Sequence, residues 1–223
     1  MEKHNVEILN IQWLNHNVLK VVTNKPENYM FEPGQATEIA INTPDWKNKT
    51  RPFTFTNLPN DENLEFTIKI YPEHKGVTER LANLKKGDEL ILRNTFGAIK
   101  FKDKGTFIAG GAGVTPFLSI FRHLDKIGNI TGNALLFANK TEKDIFLKDE
   151  FENLLGRKYV NILSEEETDK YLYGHIDQDF LTTTIKDYTQ YFYVCGPPEM
   201  TNKVVDNLVS LGADKTKIII EDY

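Results

Sequence analysis

The sequence predicts an all-β barrel followed by an α/β domain with a parallel sheet. Three observations predict it. The first hundred residues carry short, roughly alternating apolar runs separated by turn signals, the pattern of antiparallel strands. Beyond residue 102, apolar strand-like runs alternate with helical spacing, the pattern of a parallel sheet covered on both faces. The 223 residues, at roughly 150 per domain, allow one large domain or two small ones.

In the first half the predicted strands are Val6 to Ile11, Val18 to Val22, Thr37 to Ile41, Phe53 to Thr56, Leu64 to Ile70 and Glu89 to Leu92. Pro33-Gly34, Pro44-Asp45, Pro59-Asn60-Asp61 and Lys86-Gly87-Asp88 divide them. Six strands with one short helix, Val77 to Leu84, suggest a small antiparallel barrel. In the second half, strands are expected at Thr106 to Ala109, Ala134 to Phe137, Tyr159 to Leu163, Phe192 to Val194 and Lys217 to Glu221. Helices are expected at Phe117 to Ile127, Ile145 to Leu155, Phe180 to Ile185 and Glu199 to Leu211. The lysine-rich stretch 100–105 marks the boundary, giving domains 1–102 and 103–223.

Composition excludes several classes. Hydrophobic residues are 40% and charged residues 26%, which is ordinary for a folded chain and argues against wholesale disorder. A net charge of −5 argues against a general nucleic-acid binder. No apolar run approaches the roughly 18 residues of a spanning helix, and the N-terminus lacks a signal-peptide core. Cys195 is the single cysteine, so an intrachain disulfide, a cysteine-only zinc site and a four-thiolate iron–sulfur cluster are excluded, and a cytoplasmic location is expected. His4, His16, His74, His123 and His175 are scattered, and no metal site is expected.

Four segments could carry chemistry. Gly110-Gly111-Ala112-Gly113-Val114-Thr115-Pro116 follows a strand and opens a helix, with Thr115 as the expected N-cap and Pro116 at the first helical position. Its glycines let a phosphate approach the backbone, and a helix N-terminus adds unpaired N–H groups. Pro116 breaks the usual dinucleotide fingerprint, and a ligand-free tight turn stays open as a reading. Cys195-Gly196-Pro197-Pro198 ends another strand, and parallel sheets place ligands beyond such strand ends; a buried structural cysteine reads equally well. Arg51-Pro52-Phe53-Thr54 sets an arginine for a phosphate and an aromatic for a flat ring, or is simply a strand. Gly76-Val77-Thr78 is a second candidate anion site, or a plain capped helix.

Taken in chain order, these segments resemble the ferredoxin–NADP reductase family of flavoproteins over nearly the whole chain. Phe31-Glu32-Pro33-Gly34-Gln35 is similar to its Pro-Gly-Gln turn, and Arg51 to Thr54 to its Arg-x-Tyr-Ser flavin motif. Gly76-Val77-Thr78 resembles its second flavin-phosphate loop, Gly110 to Pro116 its nicotinamide-nucleotide loop, and Cys195 to Pro198 its Cys-Gly-Pro-Pro box. Glu221-Asp222-Tyr223 resembles the Glu-x-Tyr ending of the plant-type branch.

The resemblance implies a six-stranded Greek-key barrel holding FAD, less readily FMN, and a Rossmann-like domain taking NADH or NADPH. It implies hydride transfer to the flavin. Arg51 is implied to meet flavin phosphate, with Pro52 beside it, Phe53 to stack on the ring and Thr54 to reach N5. Ile68, Lys69 and Ile70 are placed at the cofactor, and Gly76, Val77 and Thr78 at the pyrophosphate. Gly111, Gly113, Thr115 and Pro116 are placed at the nicotinamide nucleotide, with Ser164, Gly196 and Pro197. Cys195 is implied to stand against nicotinamide C4, Glu221 to act as acid or proton relay, and Tyr223 to cover the flavin and swing away.

Phe53 departs from the family's tyrosine and Thr54 from its serine. Glu165-Glu166-Glu167 follows Ser164 where NADPH-specific relatives commonly place an arginine, so NADH is favoured, although Lys140, Lys143 or Lys170 could reach a 2′-phosphate. Electrons are expected to leave singly to a separate ferredoxin or flavodoxin, met by Lys47, Lys49, Lys69, Lys75, Lys85 and Lys86 on a monomer. Two other readings stand beside this one: an electron-transfer subunit of a larger redox complex without independent turnover, and a flavin-free nicotinamide dehydrogenase.

Overall fold

The structure is a computed structural model and describes every residue except Met1, Pro72, His74, Asp222 and Tyr223. The first six strands are β1 (His4–Trp13), β2 (Val18–Asn24), β3 (Ala36–Ile41), β4 (Arg51–Thr54), β5 (Asn63–Lys69) and β6 (Glu89–Phe96). They form one antiparallel sheet in the order β4-β3-β6-β1-β2-β5. Its two ends meet where Phe55 bridges Phe66 and Thr56 N–H donates to Glu65 O at 2.8 Å, which curls the sheet into a barrel. Alternation puts Val6, Ile8, Leu19, Val21, Ile39, Ile41 and Phe66 inside. Phe31 stacks on Phe55 with ring centroids 4.2 Å apart, filling the centre with apolar area. Helix α1 (Val77–Leu81) buries Val77 and Leu81 in the same core.

The second half comprises β7 (Gly105–Gly110), α2 (Thr115–Lys126), β8 (Ala134–Asn139), α3 (Lys148–Leu155), β9 (Tyr159–Leu163), β10 (Leu172–Tyr173), α4 (Gln178–Thr184), β11 (Tyr191–Cys195), α5 (Pro198–Ser210) and β12 (Ile218–Ile220). The six strands pair in parallel in the order β10-β9-β8-β7-β11-β12. One face packs Phe107, Phe117, Phe121, Phe137 and Phe151. The other packs Ile108, Leu136, Val194, Val204 and Leu208. The chain builds outward from β7 to β10, then returns to lay β11 on the opposite side of β7. The loops after β7 and β11 therefore diverge at the point where a parallel sheet opens its binding crevice.

Three element expectations need correction. Helix α1 stops at Leu81, because Asn83 and Leu84 N–H groups bond three residues back, to Arg80 O and Leu81 O, and tighten the chain into a turn. Helix α3 starts at Lys148 instead of Ile145, because a Thr141–Asp144 capping box closes a separate turn and Leu147 takes a left-handed φ of 53°. Strand β10 was not expected, because its two exposed residues carry no burial pattern.

The halves share an apolar seam. Val18 and Ile99 are buried with Phe117 and Phe121 of α2. Tyr193 Oη accepts from the Lys102 and Asp103 N–H groups and donates to Asp103 O at 2.7 Å, which ties the crossing segment to β11.

Candidate functional site at the seam of barrel and parallel sheet

After β7 the chain makes one tight turn, Gly111–Val114, with Gly111 at φ +52°. A Cβ on Gly113 would stand 2.2 Å from Cys195 O, and one on Gly110 2.5 Å from Met200 Sδ. A Cβ on Gly196 would stand 3.0 Å from Gly110 N. The glycine loop and the Cys195-Gly196 loop therefore interlock backbone to backbone, and side chains would pry them apart. Gly111 differs: among the described residues beyond its chain neighbours, the only atom within 4 Å of its Cβ position is Lys69 Nζ, at 3.8 Å. That leaves an open cradle at the start of α2. Thr115 is not the N-cap; Val114 occupies that position in helical geometry, and Thr115 Oγ1 donates back to Ala112 O at 3.0 Å. The hydroxyl stiffens the loop, and Pro116 sits at the second helical position, buried. Cys195 ends β11 at 7% exposure.

On the barrel, Arg51 and Pro52 are exposed, and Phe53 and Thr54 are half-buried, with Phe53 packed against the core. Arg51 Nη1 donates to the neighbouring Thr50 O at 2.8 Å. Ile68 and Ile70 turn inward, so only their main chain can meet a ligand, whereas Lys69 between them turns outward. Val77 is likewise in the core, leaving Gly76 and Thr78 half-buried beside it. Ser164 follows β9, half-buried, with its N–H on Asn139 O at 3.0 Å. Gly196 is buried, Pro197 exposed and Glu221 half-buried. Tyr223 lies outside the described residues.

The structure thus brings Gly111, Gly113, Cys195 and Lys69 together. Lys69 crosses the seam to reach Asp144 Oδ1 at 3.4 Å, with 13% of its side chain exposed. That removes it from the exposed lysines expected to meet a partner. Lys140 pairs with Glu165 at 2.8 Å and Lys170 with Glu142 at 2.5 Å, both on exposed side chains. The hydrogen bond and then the charge of Glu165 hold the Lys140 ammonium pKa up, and hydrogen bonds with Glu142 first and Tyr171 second raise that of Lys170.

Several residues at the seam carried no signal in the sequence. Burial by itself would raise Asp144, but bonds from Thr141 and Asn17 and the charge of Lys69 outweigh it and hold the carboxyl low. Asn17 Nδ2 donates to Asp144 Oδ1 at 3.1 Å, and His16 and Asn15 contact Lys143 O, all across the seam. Tyr71 is raised by burial and then by Asp144 and Glu73. Asn139, at the carboxyl end of β8, has both amide atoms buried without a hydrogen-bond partner among the described residues. Buried amides are rarely left so, and a donor–acceptor pair at that strand end suits a nucleotide. The Thr141-x-x-Asp144 spacing is the one signal that could have flagged part of this set.

Comparison with known proteins gives consistent results. A family of FAD-binding domains matches residues 3–99, and the oxidoreductase NAD-binding domain family matches residues 107–206. The reductase component of propane 2-monooxygenase from Rhodococcus jostii is 27% identical, over 92% of this chain and 59% of that protein. NADH-cytochrome b5 reductase 2 from Gallus gallus is 30% identical, over 73% of this chain and 67% of that protein. The crystal structure of a ferredoxin NADP+ reductase from Neisseria gonorrhoeae with bound FAD and NADP superposes with a TM-score of 0.87 at 17% identity, covering 99% of this chain and 98% of that one. That likeness establishes the shared fold. The chain spans about three-fifths of the length of the propane 2-monooxygenase reductase components it matches.

Proposed function

The chain belongs to the ferredoxin–NADP reductase family of FAD- and NAD-binding oxidoreductases, and from that premise we propose that it is an NAD(P)H-dependent reductase feeding a separate electron carrier. The observation that carries this reading is Lys69. A strand of the barrel sends its ammonium to 3.8 Å from where Gly111 would carry a Cβ, so the barrel meets the glycine loop of the second half. The residues present fit the two cofactors. Gly111 leaves room for a phosphate, and Asn139 holds an amide with no partner among the described residues. The outer side of β4 presents an exposed arginine and a half-buried aromatic ring.

FAD, when bound, accepts a hydride from nicotinamide and releases its two electrons one at a time. Arg51 binds its phosphate, Phe53 lies against its ring, and Thr54 offers a hydroxyl at the reacting edge. The main chain of Gly76 to Thr78, with the Thr78 hydroxyl, donates to its pyrophosphate. Gly111 and the N-terminus of α2 take the nicotinamide-nucleotide phosphates, with Lys69 adding positive charge. Thr115 and Gly113 fix the loop so that Cys195 stands against the nicotinamide. Glu221 serves as the proton relay.

NADH is the favoured donor, because Glu165 and Glu166 place negative charge beside Ser164. The names of the relatives, a monooxygenase reductase component and a cytochrome b5 reductase, favour service to a redox partner over free-standing dehydrogenation. We assign a ferredoxin or flavodoxin as acceptor, met by Lys47, Lys49, Lys75, Lys85 and Lys86, with the protein monomeric and cytoplasmic. Among the described residues no helix is long and apolar enough to cross a membrane. Membership as a subunit of a larger redox complex is the second reading, and the longer relatives favour it. NADH and NADPH oxidation with a panel of ferredoxins, flavodoxins and ferricyanide tests the proposal. Turnover with NADH and at least one protein carrier is expected. Activity with ferricyanide alone contradicts the assigned carrier, and no oxidation with any acceptor contradicts the free-standing reductase and points to the subunit reading, which expects no independent turnover.

A further inference from the structure

Helix α2 begins at the nucleotide loop and runs along the seam. About two turns past Thr115 it projects Arg122 across to the barrel. Arg122 Nη1 donates to Thr56 O and to Glu65 Oε1, each at 2.6 Å. Its Nε and Nη2 form a fork on Glu150 of α3, at 2.5 and 2.9 Å. Glu65 is also held by Lys20 Nζ at 2.9 Å and by Thr56 Oγ1 at 2.9 Å. One planar guanidinium therefore joins the nucleotide helix to the main chain two residues beyond Thr54.

A second tie lies one turn earlier. Gly34 N–H, in the Pro-Gly-Gln turn, donates to Ser119 Oγ at 2.8 Å. Gly34 has φ +94°, and a Cβ there would stand 2.4 Å from Ile99 O, so only glycine lets the turn lie against the main chain of Ile99; Ile120 Cδ1 of α2 is 3.2 Å from the same position. Ser119 and Arg122, three apart, present one helix face to the barrel.

Charged clasps of this burial add little net stability, since desolvation offsets much of the attraction, and the apolar seam already holds the halves together. What a forked, multiply bonded arginine supplies is orientation. Hydride transfer needs reacting atoms within about 3–3.5 Å. We propose that Arg122 is a positioning residue that fixes the nucleotide loop of α2 against the Thr54 end of β4, and so sets the approach of nicotinamide to flavin. This rests on the hydride-transfer reading given above.

The test uses the full-length holoprotein and the variants Arg122→Ala and Arg122→Lys. In single-turnover flavin reduction by NADH, Arg122→Ala is expected to lower the limiting rate about 10- to 100-fold, with FAD content kept and the half-saturating NADH concentration little changed. Lysine keeps the charge but not the fork, so Arg122→Lys is expected to stay slow. Hydrogen–deuterium exchange of the protein alone is expected to rise in residues 54–57 and 111–118 of Arg122→Ala and not in β8 or β9. Wild-type reduction rates in Arg122→Ala, full recovery by lysine, or a uniform rise in exchange would each overturn the proposal. A wild-type protein that does not react with NADH removes the hydride-transfer reading. The exchange pattern then still decides the clasp: a local rise supports it and a uniform one ends it.

Discussion

The carbonyl oxygen of Cys195 occupies the place where Gly113 would carry a Cβ, 2.2 Å away. The strand end bearing the thiol and the loop that would cradle phosphate are thus two sides of one contact, and neither can move without the other. Replacing Gly113 by Ala should push them apart, at a cost of about 1–3 kcal/mol from overpacking. The expected phenotype is a raised KM for the nicotinamide nucleotide with FAD still bound. Steady-state kinetics alongside flavin quantification would reveal it, and an unchanged KM would show that the loop contact is slack.

Gly34→Ala should be costly for a different reason. Its left-handed φ adds roughly 1–2 kcal/mol of strain, and the clash with Ile99 O adds more. Gly128→Ala is the control: its φ is +69° but nothing among the described residues beyond its chain neighbours lies within 4 Å of its Cβ position. At about 2–4 °C of Tm per kcal/mol in a chain this long, Gly34→Ala should melt well below Gly128→Ala. Equal melting temperatures would mean that the turn is not pressed against the seam.

Glu65 sets an acid limit. Burial pushes its carboxyl up, but Arg122 and Lys20 more than compensate and hold it below the ordinary value of 4.5. A carboxyl depressed in the folded state contributes stability that is complete above its unfolded pKa and is lost as pH falls through the folded one. Asp144, held below 3.8, behaves alike. Glu65→Gln should therefore be less stable than wild type near neutral pH and lose less stability between about pH 5 and pH 3. Denaturant melts at the two ends of that range measure the difference, and parallel curves would contradict it.

Nucleotide choice offers a fourth check. Glu165, 56% exposed and paired with Lys140, lies just beyond Ser164. Glu165→Gln should improve kcat/KM for NADPH about two- to five-fold, as expected from relieving ~0.5–1 kcal/mol of surface repulsion, and leave NADH nearly unchanged. Equal effects on both cofactors would place the 2′-phosphate elsewhere.

The two sheets and their loop ends were legible in the sequence because each carries a local signal. Period-two alternation marks β1 and β5, a short apolar run marks β7, and glycines mark where β7 and β11 stop. The seam was not legible. Nothing local ties Arg122, Ser119 or Asp144 to the seam, since their partners there lie far away in the chain: Glu65 is 57 residues from Arg122, and Gly34 is 85 from Ser119. Lys69 is expected both at the cofactor and among the docking lysines, and its partner Asp144 lies 75 residues on, with no local signal joining the two. The cap of α2 was missed on a finer scale: Thr115 has the right chemistry, but Gly111–Val114 coils into a helical turn first and moves the cap to Val114.

The central claim is that hydride crosses the seam from nicotinamide beside Cys195 to flavin beside Thr54, and anaerobic mixing of the FAD-loaded protein with NADH tests it most directly. The yellow absorbance should bleach in a single turnover in the wild type. Cys195→Ala should keep its flavin and bleach markedly more slowly. A colourless protein that will not take up FAD, or a Cys195→Ala variant that bleaches at the wild-type rate, would contradict the account.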